Sequence, residues 1–299
     1  MDKFLILGIN GFTGKHFQNF IIENSLIKKY SFVGVDLSVE RNIEIDYIES
    51  DLLNYEDFQE IILGQKPDYI INLIGTFSSR IFKELVDINV NISHYLFEII
   101  KNNKIKVKKI LFIGSAAEYG IPEKSPIHEN SPLRPVNLYG LSKSIQTQLI
   151  LYYSRNYDIN YNIARTFNII GRNISPSLSI GAFRDRINNA REGDYILTGN
   201  LNSKRDFIDI YDVINAYWHI LMKGKPNEIY NVCSGKSYFI KEILSILIEN
   251  SGKTLNPKIN PEWVKENEVL DIYGDNSKLK NDTGWFPLID IADSLKKIL

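Results

Sequence analysis

Short apolar runs alternate with longer amphipathic stretches along the first half of the chain. Phe4-Leu5-Ile6-Leu7 gives way to a glycine-rich turn and then to helical spacing from about residue 15. Further strand-like runs fall at residues 31–35, 43–48, 68–73, 109–113 and 161–165, with helical patterns at 84–101 and 137–156 between them. Runs so short and so uniformly apolar suit strands covered on both faces. Their alternation with helices predicts repeated βαβ units. The expected fold class is α/β, a doubly wound parallel sheet.

Beyond residue 166 the pattern loosens. Pro122, Pro126, Pro132 and Pro135 already mark an irregular loop before it. Residues 171–205 carry Gly, Pro and Ser turns around a helix expected at 182–192. Residues 206–210 read as a strand, 213–222 as a helix, and 239–251 as an amphipathic helix ahead of a polar tail. The expected division is a nucleotide-binding domain over 1–166, with 206–224 returning to it. A smaller, interwoven substrate lobe would comprise 167–205 and 225–299.

Gly8, Gly11 and Gly14 recur at three-residue intervals where the first run ends. Glycine permits a sharp turn, and its bare Cα lets amides at a helix N-terminus approach a pyrophosphate. With Asn10, Phe12 and Thr13 between them, these residues form a candidate dinucleotide cradle of a Rossmann-type sheet. Asp36 closes the second run, where a carboxylate can accept hydrogen bonds from adenosine ribose hydroxyls. Its charge would repel a 2′-phosphate, so NAD(H) is favoured and NADP(H) stays open. Leu73 and Gly75, at the end of the fourth run, extend the same candidate edge.

Composition narrows the partners. The chain has 299 residues, 44% hydrophobic and 24% charged, with a formal net charge of −1. That balance supplies no electrostatic drive toward nucleic acid or an acidic membrane. The densest basic cluster (Lys101, Lys104, Lys106, Lys108, Lys109) leads straight into the apolar run 110–113 and reads as a solvated helix end. The single cysteine, Cys233, excludes an internal disulfide and fits a reducing compartment. Four scattered histidines have no metal-ligand spacing. No apolar stretch has the length of a membrane-spanning helix. Cytoplasm is the expected location.

Candidate chemistry comes from three residues. Tyr139 and Lys143 are four apart on an expected helix, so their side chains share a face. An ammonium beside a phenol favours the phenolate and lowers its pKa, making tyrosine a usable proton donor or acceptor. Ser115 ends the fifth run, at the strand edge where open α/β sheets bind ligands. Its hydroxyl could hold a carbonyl or alkoxide oxygen. Tyr-x-x-x-Lys alone arises by chance roughly once or twice in such a chain. Its weight comes from following a glycine-rich loop and a serine at a strand end.

Together Gly8-x-x-Gly11-x-x-Gly14, Ser115-Ala-Ala-Glu-Tyr-Gly120 and Tyr139-Gly-Leu-Ser-Lys143 resemble the extended short-chain dehydrogenase/reductases acting on nucleotide sugars. The resemblance implies an adenine contact at Asp51-Leu52 and a structural helix holding Asn89, although Ser93 and His94 depart from its usual residues. It implies a substrate contact at Asn168, within Arg165-Thr-Phe-Asn168-Ile-Ile-Gly171; the usual proline after that glycine is Arg172 here. Gly199-Asn-Leu-x-x-x-Arg205-Asp-Phe-Ile-Asp209, the Gly274-Asp-Asn-Ser-Lys278 segment and Thr283-Gly-Trp285 are most similar to GDP-4-keto-6-deoxy-mannose reductases. There Arg205 would grip the diphosphate, with Lys265 and Glu268 as further substrate contacts. The group's usual Arg-Pro-x-Asp stretch is replaced by Lys265-Glu-Asn-Glu268, which loses the planar guanidinium fork. The resemblance also implies a homodimer built from the helices at 84–101 and 137–156. Leu85, Ile88, Ile92, Leu96 and Ile99 would suit that interface or an internal core equally.

Related dehydratases carry acid–base residues directly after the active-site hydroxyl, where this chain has Ala116 and Ala117. Glu118, one position later, is either a substrate contact or a polar strand-end residue. The related epimerase/reductases use a cysteine just after the serine, whereas Cys233 is far away in sequence. Hydride transfer at one carbon remains. The expected activity is NAD(P)H-dependent reduction of the C4 ketone of a GDP-linked deoxy-hexose or heptose. C4 oxidation, C4 epimerisation and a catalytically silent NAD-binding role stay open.

Overall fold

Alternate residues of the first strand, β1 (Lys3–Leu7), face two different cores. Phe4 and Ile6 pack into one, Leu5 and Leu7 into the other, as period-two geometry requires of a strand covered on both sides. The computed structural model describes residues 1–38, 40–264 and 269–299. β2 (Ser31–Asp36), β3 (Asp46–Glu49), β4 (Tyr69–Asn72), β5 (Lys109–Ser115) and β6 (Tyr161–Thr166) join β1 in one parallel sheet. A seventh strand, Glu228–Val232, pairs parallel with β6. The sheet order is Glu228–Val232, β6, β5, β4, β1, β2, β3. The chain reverses its direction of winding between β1 and β4, and crevices at such a switch point take ligands in open α/β sheets.

Helices α1 (Phe12–Glu23), α2 (Tyr55–Gln65), α3 (Phe82–Val86), α4 (Ile92–Asn102) and α5 (Leu138–Tyr157) follow in order, with a π turn at Asp87–Asn91. After them come α6 (Ser179–Asn189), α7 (Ile210–Lys223) and α8 (Ile240–Ser251). α1 and α7 cover the Phe4 face through Phe17, Phe20, Ile21, Val213 and Tyr217. α2, α4 and α5 cover the other through Phe58, Ile62, Leu96, Phe97 and Tyr153. Phe97 stacks on both Phe112 and Tyr153, with ring centroids 5.3 and 4.8 Å apart.

A separate core lies outside the main sheet, in which α6 and α8 pack Ile180, Phe183 and Ile187 against Ile243, Leu244 and Leu247. Two features differ from the sequence expectation. Glu228–Val232 belongs to the main sheet, although it falls within the stretch assigned to the lobe. Phe207–Asp209 pairs with Asn168–Ile170 in a separate ribbon, while α7 after it packs against the main sheet. Leu85, Ile92, Leu96 and Ile99 are internal core, each at most 4% exposed. The exposed apolar stripe lies instead on α5, at Leu138, Leu141, Ile145 and Tyr152. Among the described residues, no helix is long and apolar enough to cross a membrane.

Candidate active site

The glycine loop leaves β1 where β4 presses against it. Gly8 has φ +82°, and a Cβ there would lie 3.1–3.3 Å from Leu73 and Ile74. Gly14 is tighter still: a Cβ would come within 2.3 Å of the carbonyl oxygens of Gly8 and Ile9. Only glycine lets α1 approach the strand this closely. Gly11 caps α1 without any side chain satisfying the first-turn amides. Those N–H groups, with the positive end of the helix dipole, fit a diphosphate.

Asn10, Phe12 and Thr13 lie partly exposed on the same loop. Asp36 closes β2 beside it and takes the Asn10 amide at 2.8 Å and the Leu37 amide at 2.8 Å. Its remaining lone pairs are left for ribose hydroxyls. Asp51 is exposed at the neighbouring corner, where the Ser50 amide donates to the Asp36 carbonyl at 2.9 Å. Leu52, by contrast, buries its side chain in the core and is 3% exposed. Sequence reasoning missed the brace under the loop. Gln18 Nε2 donates to the Ile9 carbonyl at 2.8 Å, and Tyr47 donates to Gln18 at 3.1 Å. These residues fit a dinucleotide whose diphosphate sits at the α1 N-terminus and whose ribose meets Asp36.

The second half of the site forms where β4, β5 and α5 converge. Asn137 caps α5, accepting the Gly140 amide at 2.7 Å, and so fixes the first turn that carries Tyr139. The Ser115 hydroxyl reaches the Tyr139 phenol and favours its phenolate form. Burial acts the other way and dominates, raising the Tyr139 pKa above its ordinary value. The expected lowering by Lys143 is absent. Lys143 is itself 3% exposed, and burial pushes its pKa down from 10.5 to about 8. Its Nζ points toward Gly75, 3.9 Å from where a Cβ would stand. A side chain at Gly75 would crowd Asn89 Oδ1 and the Lys143 amine, and Leu73 precedes it against Gly8.

Asn89 was expected only as a helix residue, yet it organises this corner. It is fully buried, exchanges hydrogen bonds with the Thr76 backbone at 2.9 Å each, and donates to Ser142 Oγ at 2.9 Å. The π turn at Asp87–Asn91 carries it inward. Phe77 meets the Tyr139 ring edge-on, with centroids 6.3 Å apart.

Of the expected substrate contacts, Glu118 is the clear correction. It is fully buried, accepts hydrogen bonds from Ser115 N, Thr147 Oγ1 and Arg165 Nε at 2.7–3.1 Å, and offers nothing to a ligand in the cleft. Asn168 is exposed and donates to the Asp206 carbonyl at 2.7 Å, which draws it toward neighbouring Arg205. The Arg205 guanidinium donates to the carbonyls of Lys204 and Val269. Asp206 collects the amides of Ser234, Gly235 and Gly274 and the Ser234 hydroxyl at 2.7–3.2 Å, locking three segments behind Arg205. Lys265 and Glu268 lie outside the described residues. Cys233 is fully buried.

Residues 4–233 match the model of the NAD dependent epimerase/dehydratase family. The chain belongs to this family. Among curated members, the GDP-6-deoxy-D-mannose reductase of Pseudomonas aeruginosa is 28% identical, the match spanning 100% of this chain and 96% of the relative. A putative UDP-glucose 4-epimerase of Methanocaldococcus jannaschii is 29% identical over 99% of this chain and 96% of its own length. The solved structure of RMD from Pseudomonas aeruginosa complexed with NADPH superposes with a TM-score of 0.85 at 26% identity, covering 100% of this chain and 98% of that one. The chain is an extended short-chain dehydrogenase/reductase.

Proposed function

We propose that this enzyme reduces the C4 ketone of a GDP-linked 4-keto-6-deoxy-hexose or heptose, and that it does so as a homodimer in the cytoplasm. The reading rests on one arrangement: Ser115 and Tyr139 form the proton-transfer pair, and the two positions directly after Ser115 carry no acid or base. Ala116 and Ala117 cannot move a proton, and the Glu118 carboxylate is spent on internal partners. Elimination of water needs a base at C5, and neither alanine after Ser115 nor the internally bonded Glu118 supplies one. Transfer of hydride at C4 needs only a donor and acceptor for the C4 oxygen.

A bound nicotinamide cofactor supplies the hydride. NAD(H) is favoured by Asp36, whose charge opposes a 2′-phosphate; NADP(H) is the alternative. The glycine loop Gly8–Gly14 would hold the cofactor diphosphate, and Lys143 would hold the nicotinamide ribose. Ser115 donates a hydrogen bond to the C4 oxygen, and Tyr139 delivers the proton to it. The raised Tyr139 pKa suits this direction, because the phenol stays protonated and ready to donate. Arg205 meets the substrate diphosphate with its planar fork and Asn168 contacts the sugar nucleotide beside it.

The test is absorbance at 340 nm with NADH or NADPH and GDP-4-keto-6-deoxymannose, with the product identified by mass spectrometry. Stoichiometric loss of reduced cofactor with gain of two hydrogens on the sugar is expected. Interconversion of UDP-hexoses without net cofactor consumption would overturn the reading in favour of C4 epimerisation, the activity for which several relatives, the Methanocaldococcus protein among them, are named. The dimer is supported by the exposed α5 stripe of Leu138, Leu141, Ile145 and Tyr152.

A further inference from the structure

Glu118 sits at a junction that the proposed reaction does not use. It closes a single turn, Ala116–Glu118, in which the Ser115 hydroxyl accepts the Ala117 amide and Glu118 Oε1 accepts the Ser115 amide at 2.8 Å. Glu118 Oε2 takes two further donors. Thr147 Oγ1 reaches it at 2.7 Å from α5, one turn beyond Lys143, and Arg165 Nε reaches it at 3.1 Å from β6. Arg165 in turn lies over the Tyr119 ring and donates to the Tyr119 hydroxyl and the Glu129 carbonyl. Glu118 and Arg165 are 0% and 2% exposed.

Room for this carboxylate is built into β5. A Cβ at Gly114 would come 2.7 Å from Glu118 Oε1 and 2.9 Å from Ile163. A buried ion pair contributes little net stability compared with apolar packing of the same volume, so stability alone does not explain it. Its geometry does. One side chain grips the strand end that presents Ser115 and the helix that presents Tyr139 and Lys143.

We propose that Glu118 is a positioning residue for catalysis, fixing Ser115 against α5 and setting its carboxyl group against Thr147, one helical turn beyond Lys143. This rests on the reading of Ser115, Tyr139 and Lys143 as the reacting group. Burial depresses Lys143, and Glu118 opposes that depression; the same charge also raises Tyr139. Other ionisable groups at the junction are Arg165, Tyr119 and Glu129 around Glu118, and Tyr217 facing Tyr139. Loss of the Glu118 charge therefore leaves Lys143 neutral at a lower pH, and cofactor ribose loses its charged partner there.

Three variants separate charge from scaffold. Glu118→Gln removes the charge; the Glu118→Gln/Arg165→Met pair removes both charges and avoids stranding a buried guanidinium. Thr147→Val cuts the tie to α5 alone. In the reductase assay, the alkaline limb of kcat should move about one pH unit toward acid in both Glu118 variants. Thr147→Val should leave that limb in place and lower kcat about tenfold, with KM for the sugar within about twofold. The second readout needs no turnover: acetylation of Lys143 by acetic anhydride across pH, resolved by peptide mass spectrometry. Its midpoint should fall in both Glu118 variants. An unchanged midpoint would overturn the proposal whether or not a sugar substrate is turned over. An inactive wild type with a shifted midpoint would sink the reductase reading and leave the electrostatic role of Glu118 standing.

Discussion

Replacing Lys143 with methionine should stabilise this protein while disabling it. Lys143 is 3% exposed, and its amine has no hydrogen bond or ion-pair partner among the described residues. Its pKa falls from 10.5 to about 8 on folding, chiefly through burial. At about 1.36 kcal/mol per pH unit, keeping that amine charged at pH 7 costs the fold about 3 kcal/mol. Methionine has similar length, carries no charge, and fills irregular space well. The sign follows from the depressed value. The folded state resists protonation, so the penalty is complete below pH 8 and fades as pH rises toward 10.5. Lys143→Met should therefore melt about 5 °C above wild type at pH 7 in scanning calorimetry, given the unfolding entropy of a chain this long. That advantage should shrink steadily between pH 8 and 10, while reductase turnover falls at least about a hundredfold. Equal melting temperatures at pH 7, or a gap indifferent to pH, would refute the assignment of Lys143 as an unpaired buried charge.

Further outcomes follow from the same geometry. Tyr139→Phe should cut kcat about a thousandfold and leave cofactor affinity, measured by quenching of tryptophan fluorescence, within about twofold, because only the proton donor is lost. Gly14→Ala places a methyl 2.3 Å from two backbone oxygens, so cofactor binding should vanish by the same titration and the melting point should drop. Asp36→Ala should raise kcat/KM for NADPH relative to NADH by about tenfold or more once the carboxylate no longer opposes a 2′-phosphate. Leu141→Glu with Ile145→Glu puts two charges on the exposed α5 stripe; sedimentation equilibrium should then report a monomer where wild type reports a dimer.

Much of the fold was legible because its signals are local. A glycine at every third position, a serine at a strand end, and tyrosine and lysine four apart on one helix are read within a few residues of one another. Glu118, Asn89 and Gln18 carry no such signature. Glu118 meets Arg165 at a separation of 47 residues, and Asn89 meets Ser142 at 53. The strand Glu228–Val232 was assigned to the wrong unit for a related reason. Its Asn231 is polar but fully buried, accepting the Tyr119 hydroxyl at 2.7 Å and donating to the Ile127 carbonyl at 2.9 Å. Binary patterning reads a polar residue as exposed, and only tertiary hydrogen bonds reverse that. Similarly, the apolar face of α4 fits core and interface equally in sequence. Packing assigns it to the core and leaves the stripe on α5 uncovered.

The buried charges around Ser115 and Tyr139 are hard to account for as structure. Lys143, Glu118 and Arg165 are 3%, 0% and 2% exposed, on α5, at the end of β5 and on β6. Apolar side chains of equal volume would satisfy the core at no penalty and often with a gain. A fold that instead keeps a buried ammonium and a buried ion pair beside Ser115 and Tyr139 accepts lower stability for a fixed electric field. Such a field matters most where charge develops during reaction, and a dry, preorganised setting strengthens it. A catalytically silent NAD-binding protein would have no use for that arrangement. The cost concentrated at Lys143 is therefore the strongest physical argument that this member of the family is an enzyme, and its removal should at once stabilise the chain and abolish turnover.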